Sequence, residues 1–154
     1  MANKVFKIGK TNLGVEDFDC VVTEFKPRFE TLDTDKSGRA QSTGNMYRSV
    51  IGTYYNCTIV IKPKKNNFEE YDKLLKLLIN AKINKGFLWV EIPYLQGTLT
   101  QEMYCTSVER PLKRKIENST GENQRNEYGE MTISLIAKKK MTDAQLNADL
   151  WGNV

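Results

Sequence analysis

The chain has 154 residues, 40% of them apolar and 27% charged, with a net charge of +4; one globular domain of this size holds together without a disulfide or a metal. It contains no histidine, which excludes Ser-His and Cys-His nucleophiles, histidine-based zinc sites and imidazole proton shuttles. The charge is too small to require a nucleic-acid partner. Three cysteines, Cys20, Cys57 and Cys105, are odd in number and lack metal-ligand spacing, so buried reduced thiols are expected. No stretch approaches the roughly 20 apolar residues of a membrane span. The N-terminus lacks an apolar run of signal-peptide length, and a cytoplasmic product is expected.

Residues 4–8 suit a short first strand, followed by a loop bracketed by Gly9 and Gly14. From Phe18 to Phe29 the alternation is uneven, with Phe18, Cys20, Val22 and Phe25 on one side. Pro27 puts this strand at an edge or ends it. Residues 30–46 are polar and rich in turn formers, which predicts a long inter-strand loop; loops of about 15 residues in compact domains are uncommon and often functional. Tyr47 to Lys62 is the clearest strand: Tyr55, Cys57, Ile59 and Ile61 share one side, and Pro63 ends it.

Asn67 as cap, with Glu70 three residues on, opens a helix over about 68–83. Its Phe68, Tyr71, Leu74, Leu75, Leu78 and Ala81 recur at three and four spacing. Residues 86–92 and 99–108 form a hairpin around Leu95-Gln96-Gly97, with Met103, Cys105 and Ser107 on one side. Residues 109–117 are basic, and 118–126 form a second polar loop. In the last strand, Tyr128 to Lys138, Met131, Ile133, Leu135 and Ala137 alternate with Thr132, Ser134 and Ile136. The segment after Met141 has a short helical pattern capped by Thr142, with Leu146, Leu150 and Trp151 apolar. Strands, one helix, then strands predict an α+β, mainly β fold: an antiparallel β-sandwich or partial barrel with one packed helix. Residues 1–140 form the domain, and 141–154 a tail that docks on it or on a neighbouring subunit.

Asp33-Thr34-Asp35-Lys36-Ser37-Gly38 looks like the opening of a calcium loop, with Asp33, Asp35 and Ser37 as oxygen ligands and glycine sixth. The pattern then fails, because Gly44 stands where a bidentate glutamate is required, and extended chain precedes it. A polar turn is the favoured reading, with a calcium-dependent interaction domain as an alternative. Lys113, Arg114 and Lys115, with lysines 62, 64, 65 and 138–140, suit a phosphate-binding surface; lysines at strand ends also guard exposed edges. A nucleic-acid-binding module is the second alternative. No constellation supports catalysis, and no cofactor is expected.

The run Ser37-Gly38-Arg39, then Gly44-Asn45-Met46-Tyr47-Arg48-Ser49-Val50-Ile51-Gly52, resembles a family of small tail-associated structural proteins of long-tailed phages and prophages. The order continues with a Tyr-x-x-Leu helix (Tyr71 to Leu78), an extended segment ending at Pro93, and a strand carrying Tyr104 before a basic stretch. The similarity covers roughly residues 27–116. It implies a virion component without enzymatic activity, made in the host cytoplasm and built into a ring at the tail tip or baseplate or along the tail tube. Its partners would be copies of itself and other tail proteins, with no small-molecule substrate, no membrane, and nucleic acid only as passing genome. Loop 30–46 would then contact neighbouring subunits, with Asp33, Asp35, Arg39, Met46, Tyr47 and Arg48 as contact residues and Arg39 and Arg48 as intersubunit salt-bridge partners.

Overall fold

The computed structural model describes residues 5–33, 38–39, 43–64, 68–80, 82–116 and 125–147. Its strands are β1 (Lys7–Gly9), β2 (Cys20–Asp33), β3 (Gly38–Arg39), β4 (Met46–Tyr47), β5 (Val50–Pro63), β6 (Leu88–Tyr94), β7 (Gly97–Glu109), β8 (Leu112–Ile116), β9 (Arg125–Tyr128) and β10 (Met131–Ala137). Two helices, α1 (Phe68–Ile79) and α2 (Asp143–Leu146), complete it. Six strands form one antiparallel sheet in the order β1-β6-β7-β10-β5-β2, while β3 pairs with β4 and β8 with β9. The fold is α+β and mainly β, and the main sheet is not closed into a barrel.

Alternation decides which face of the sheet is buried. Directly paired residues share a face, so Ile8, Val90, Leu88, Met103, Ala137, Leu135, Cys57, Ile59 and Ile61 fall together across five strands. All of them are buried. Helix α1 contributes Tyr71, Leu74 and Leu78 to the same core, and its acids Glu69 and Glu70 sit in the first turn, where the helix dipole favours them. The Tyr71 hydroxyl donates to the Gly129 carbonyl at 2.6 Å. The helix ends at Ile79, short of the expected 83; a 3-10 turn, Ile83–Gly86, follows, with Lys85 and Gly86 at φ of 58° and 90°. The predicted cap Asn67 and Ala81 lie outside the described residues.

The uneven alternation of β2 has a local cause. Val22 pairs with Ile61 and Glu24 with Val60, so Thr23 is an extra residue at a bulge. Its hydroxyl donates to the Val60 carbonyl at 3.1 Å. A second bulge, where Ser107 pairs with Ser134 and Cys105 with Leu135, leaves Thr106 extra. Thr106 points its hydroxyl at the Ser134 carbonyl, 3.5 Å away. This bulge corrects the expected facing of β7: Val108, opposite Ile133, takes the inward side in place of Ser107. Where the β10–β5 ladder stops, side-chain amides continue the bonding. Asn56 Oδ1 accepts from the Ala137 N–H at 2.8 Å, and Gln101 Nε2 donates to the Tyr55 carbonyl at 2.8 Å.

Both expected loops contain strand among the described residues, while 34–37, 40–42 and 118–124 lie outside them. Residues 30–33 continue β2, paired with β5 from Glu30 opposite Tyr54 to Asp33 opposite Val50. Gly38–Arg39 and Met46–Tyr47 pair beyond them. The basic stretch forms β8, opposite β9, which takes in the end of the expected 118–126 loop. Both pieces escape a pattern search because a two-stranded ribbon wetted on both faces needs no apolar alternation.

Candidate assembly surface

β2 is an edge strand, as Pro27 required, and Pro27 stands opposite Cys57. The β10 ladder on β5 reaches only to Cys57. Beyond that point β2 and β5 run on as a two-stranded ribbon of Arg28–Asp33 against Val50–Asn56. The first residues after β10 follow its β5 side outward: the Met141 N–H donates to the Thr53 carbonyl at 2.7 Å, and Lys140 Nζ to the Ile51 carbonyl at 3.2 Å.

Along the ribbon and on β4, apolar side chains stand half exposed among the described residues. Phe29, Leu32, Met46, Val50 and Ile51 are 42–53% exposed and account for five of the eleven large exposed hydrophobics among the described residues. Concentration of this kind marks interaction surfaces, whereas single exposed leucines are ordinary. Phe29 anchors the base, its ring 4.7 Å from Tyr55 and 6.2 Å from Tyr94. Arg28 holds the outer face, donating to Thr58 Oγ1 at 2.6 Å and to Glu30 at 3.2 Å. The Glu30 carboxyl titrates below its ordinary value because Asn56, and then Arg28, hydrogen-bond it.

At the far end Arg48 clasps Asp33. Nη2 lies 2.7 Å from Oδ1, and Nε lies 3.2 Å from each carboxylate oxygen. This fork geometry fixes direction as well as charge. The structure thus brings Asp33 and Arg48 together within one chain, and an intersubunit bond from Arg48 has to compete with that pair. Arg39 stands opposite Met46, and Tyr47 opposite Gly38, in the short ladder beyond. Asp35 and Ser37 lie outside the described residues. Among the described residues no group of three or more Cys, Asp or Glu side chains is placed to hold a metal ion, and the Asp33 carboxylate already serves Arg48. The sequence alone does not single out Phe29, Leu32, Val50 and Ile51 as contact residues; the one signal for Phe29 and Leu32 is apolar character continuing past Pro27 into a polar stretch.

The basic group is partly neutralised. Arg114 pairs with Glu127 at 2.9 Å across the β8–β9 ladder. Arg110 donates to Asp72 at 2.7 Å and lies 3.8 Å over the Tyr128 ring and 5.2 Å from Tyr71, pinning the hairpin to α1. Lys113 and Lys115 are exposed, with Lys115 engaged in contacts of its own.

No protein-family model and no curated protein matches the sequence. Among solved structures, a subunit in the virion of a native gene transfer agent particle is 10% identical, with a TM-score of 0.46 over 90% of this chain and 95% of that one. A subunit of the phage p2 baseplate, in its activated conformation with Sr, is 16% identical, with a TM-score of 0.49 over 88% of this chain and 44% of that one. A subunit in the tail of an empty gene transfer agent particle with C6 symmetry is 12% identical, with a TM-score of 0.50 over 90% of this chain and 92% of that one. At that identity the likeness is one of architecture, and the chain shares the fold of a subunit found in the tail of such a particle.

Proposed function

We propose that this chain is a structural, non-catalytic subunit of a phage-type tail, made in the host cytoplasm and carried in the virion. In this reading copies close into a ring at the tail tip or baseplate or along the tube, through repeated heterologous contacts. The projecting β2–β5 ribbon carries the proposal, because its internal ion pairs and ladder hold apolar side chains half exposed among the described residues. The fold shared with a subunit in the C6 tail of a gene transfer agent particle supports the same reading. The lack of histidine leaves the common nucleophile and proton-shuttle chemistries without their base.

The test is the particle mass of the purified protein by mass photometry, with negative-stain imaging. A ring of six 17.7 kDa chains would weigh about 106 kDa. Rings or stacked tubes support the proposal. A monomer that persists at high concentration removes self-ring assembly and leaves only a ring built with another tail protein.

A further inference from the structure

A second surface, remote from the ribbon, lies between the segment after β1 and the C-terminal half of α1. It is a groove of about 660 Å³, within the size range of ligand-binding clefts. Ile8, Phe18 and Leu77 line its apolar part, and Lys10, Lys73 and Lys76 its polar part, with Glu16 the one acid in the lining. Lys73 is only loosely occupied, 3.7 Å from both Glu69 and Glu70. Two apolar side chains next to lining residues stand in solvent, Leu13 at 98% exposure and Ile79 at 62%. The groove therefore suits an extended or helical segment that is apolar and acidic.

The chain itself carries such a segment. From Thr142 onward it has no basic residue, two aspartates (Asp143 and Asp149), and the apolar Leu146, Leu150 and Trp151. Leu146 is 45% exposed on α2. We propose that the segment around Leu146, Leu150 and Trp151 of one copy docks in this groove of a second copy, with Asp149 facing the lysines.

Reach favours the second copy over the chain's own groove. α2 is fastened at the Tyr94 end of β6, where the Tyr94 hydroxyl donates to the Gln145 carbonyl at 2.9 Å. The groove opens at the other end of that strand, where Gly9 pairs with Trp89. Those ends are five residues apart, about 17 Å. Leu150 is only three residues past Asn147, about 11 Å at full extension, so Leu146 and Leu150 fall short of the chain's own groove. The inference rests on the reading that copies of this chain associate, but not on the ribbon.

The experiment uses the full-length chain with Trp89→Phe, which leaves Trp151 as its one tryptophan. Acrylamide quenching of Trp151 is followed as protein concentration rises. The expected result is a concentration-dependent loss of quenching. It should weaken at least tenfold in Lys73→Glu/Lys76→Glu, return when Asp149→Lys is added, and persist in a ribbon variant, Leu32→Asp/Val50→Asp. Persistence there while ring assembly is lost separates this surface from the ribbon reading. Trp151 quenchable at every concentration, protected equally at every concentration, or protected unchanged in the lysine variant would each overturn the proposal.

Discussion

Asn56 is a single amide holding two strands together. It is 3% exposed, accepts from the Ala137 N–H and hydrogen-bonds the Glu30 carboxylate. Asn56→Ala leaves a backbone N–H without its acceptor, which costs about 1–3 kcal/mol. Urea denaturation should show a lower midpoint at unchanged slope, and an NMR titration should show the Glu30 carboxyl moving back up toward its ordinary value. The buried thiols set the alkaline limit. Burial pushes Cys20 up to about 11 and Cys57 up to about 12 from an ordinary 9.0, and Tyr71 to about 12 from 10.0. These groups stay neutral in the fold while the unfolded chain ionises, so their contribution is complete below pH 9 and is lost as pH rises toward their folded values. Each thiol should steepen the loss of stability by about 1.4 kcal/mol per pH unit above its unfolded value. Melting temperatures measured from pH 7 to 11 should fall less steeply in Cys20→Ala/Cys57→Ala; an unchanged slope would assign the effect to other groups.

At the scale of elements, the β8–β9 hairpin depends on Arg110. Its side chain is 11% exposed, lies 3.8 Å over Tyr128 and donates to Asp72. A partly desolvated cation–π stack with a charged hydrogen bond is worth about 1–2 kcal/mol. Arg110→Ala should lose about that much, and hydrogen exchange should speed up in Leu112–Ile116 and Arg125–Tyr128 while β5 and β10 keep their protection. Arg110→Lys keeps the charge but not the planar stack, and should recover only part of the loss. The same hairpin shows what a sequence conceals. β5, β10, the β6–β7 hairpin and α1 were legible because each sets an apolar stripe against a common core. β8 and the outer half of β2 have no such stripe, since water meets both their faces, so Lys113-Arg114-Lys115 read as a charge patch and Glu30–Asp33 as a loop. The bulges at Thr23 and Thr106 escaped for another reason: one extra residue shifts the register, and only the partner strand reveals it. Of the candidate surface, the sequence names Asp33, Met46 and Arg48 as expected contact residues, whereas the clasp between Asp33 and Arg48 needed the ladder that brings residues fifteen apart together.

For the whole molecule, the core and the proposed assembly surface lie in different places. The core lies under α1 and along the inner face of the sheet, with Leu74, Ile59 and Ile61 fully buried. The ribbon extends past the last β10 partner, with its apolar side chains half exposed. Surface changes of that kind usually move stability by less than about 0.5 kcal/mol. Leu32→Asp/Val50→Asp should therefore melt within a few degrees of the parent chain and still lose its rings, because burying two carboxylates in a subunit interface without partners is strongly unfavourable. Leu74→Ala supplies the contrast: it opens a core cavity, costs about 2–5 kcal/mol, and weakens assembly only as far as the fold itself is lost. Thermal melts and particle masses taken together separate the two cases. If the ribbon variant unfolds along with its loss of assembly, the ribbon supports the fold rather than the ring, and the contact has to be sought on other surfaces. If it stays folded and monomeric, the outer ends of β2 and β5 serve as the chain's contact arm, and their clasp keeps that arm in shape before a neighbour arrives.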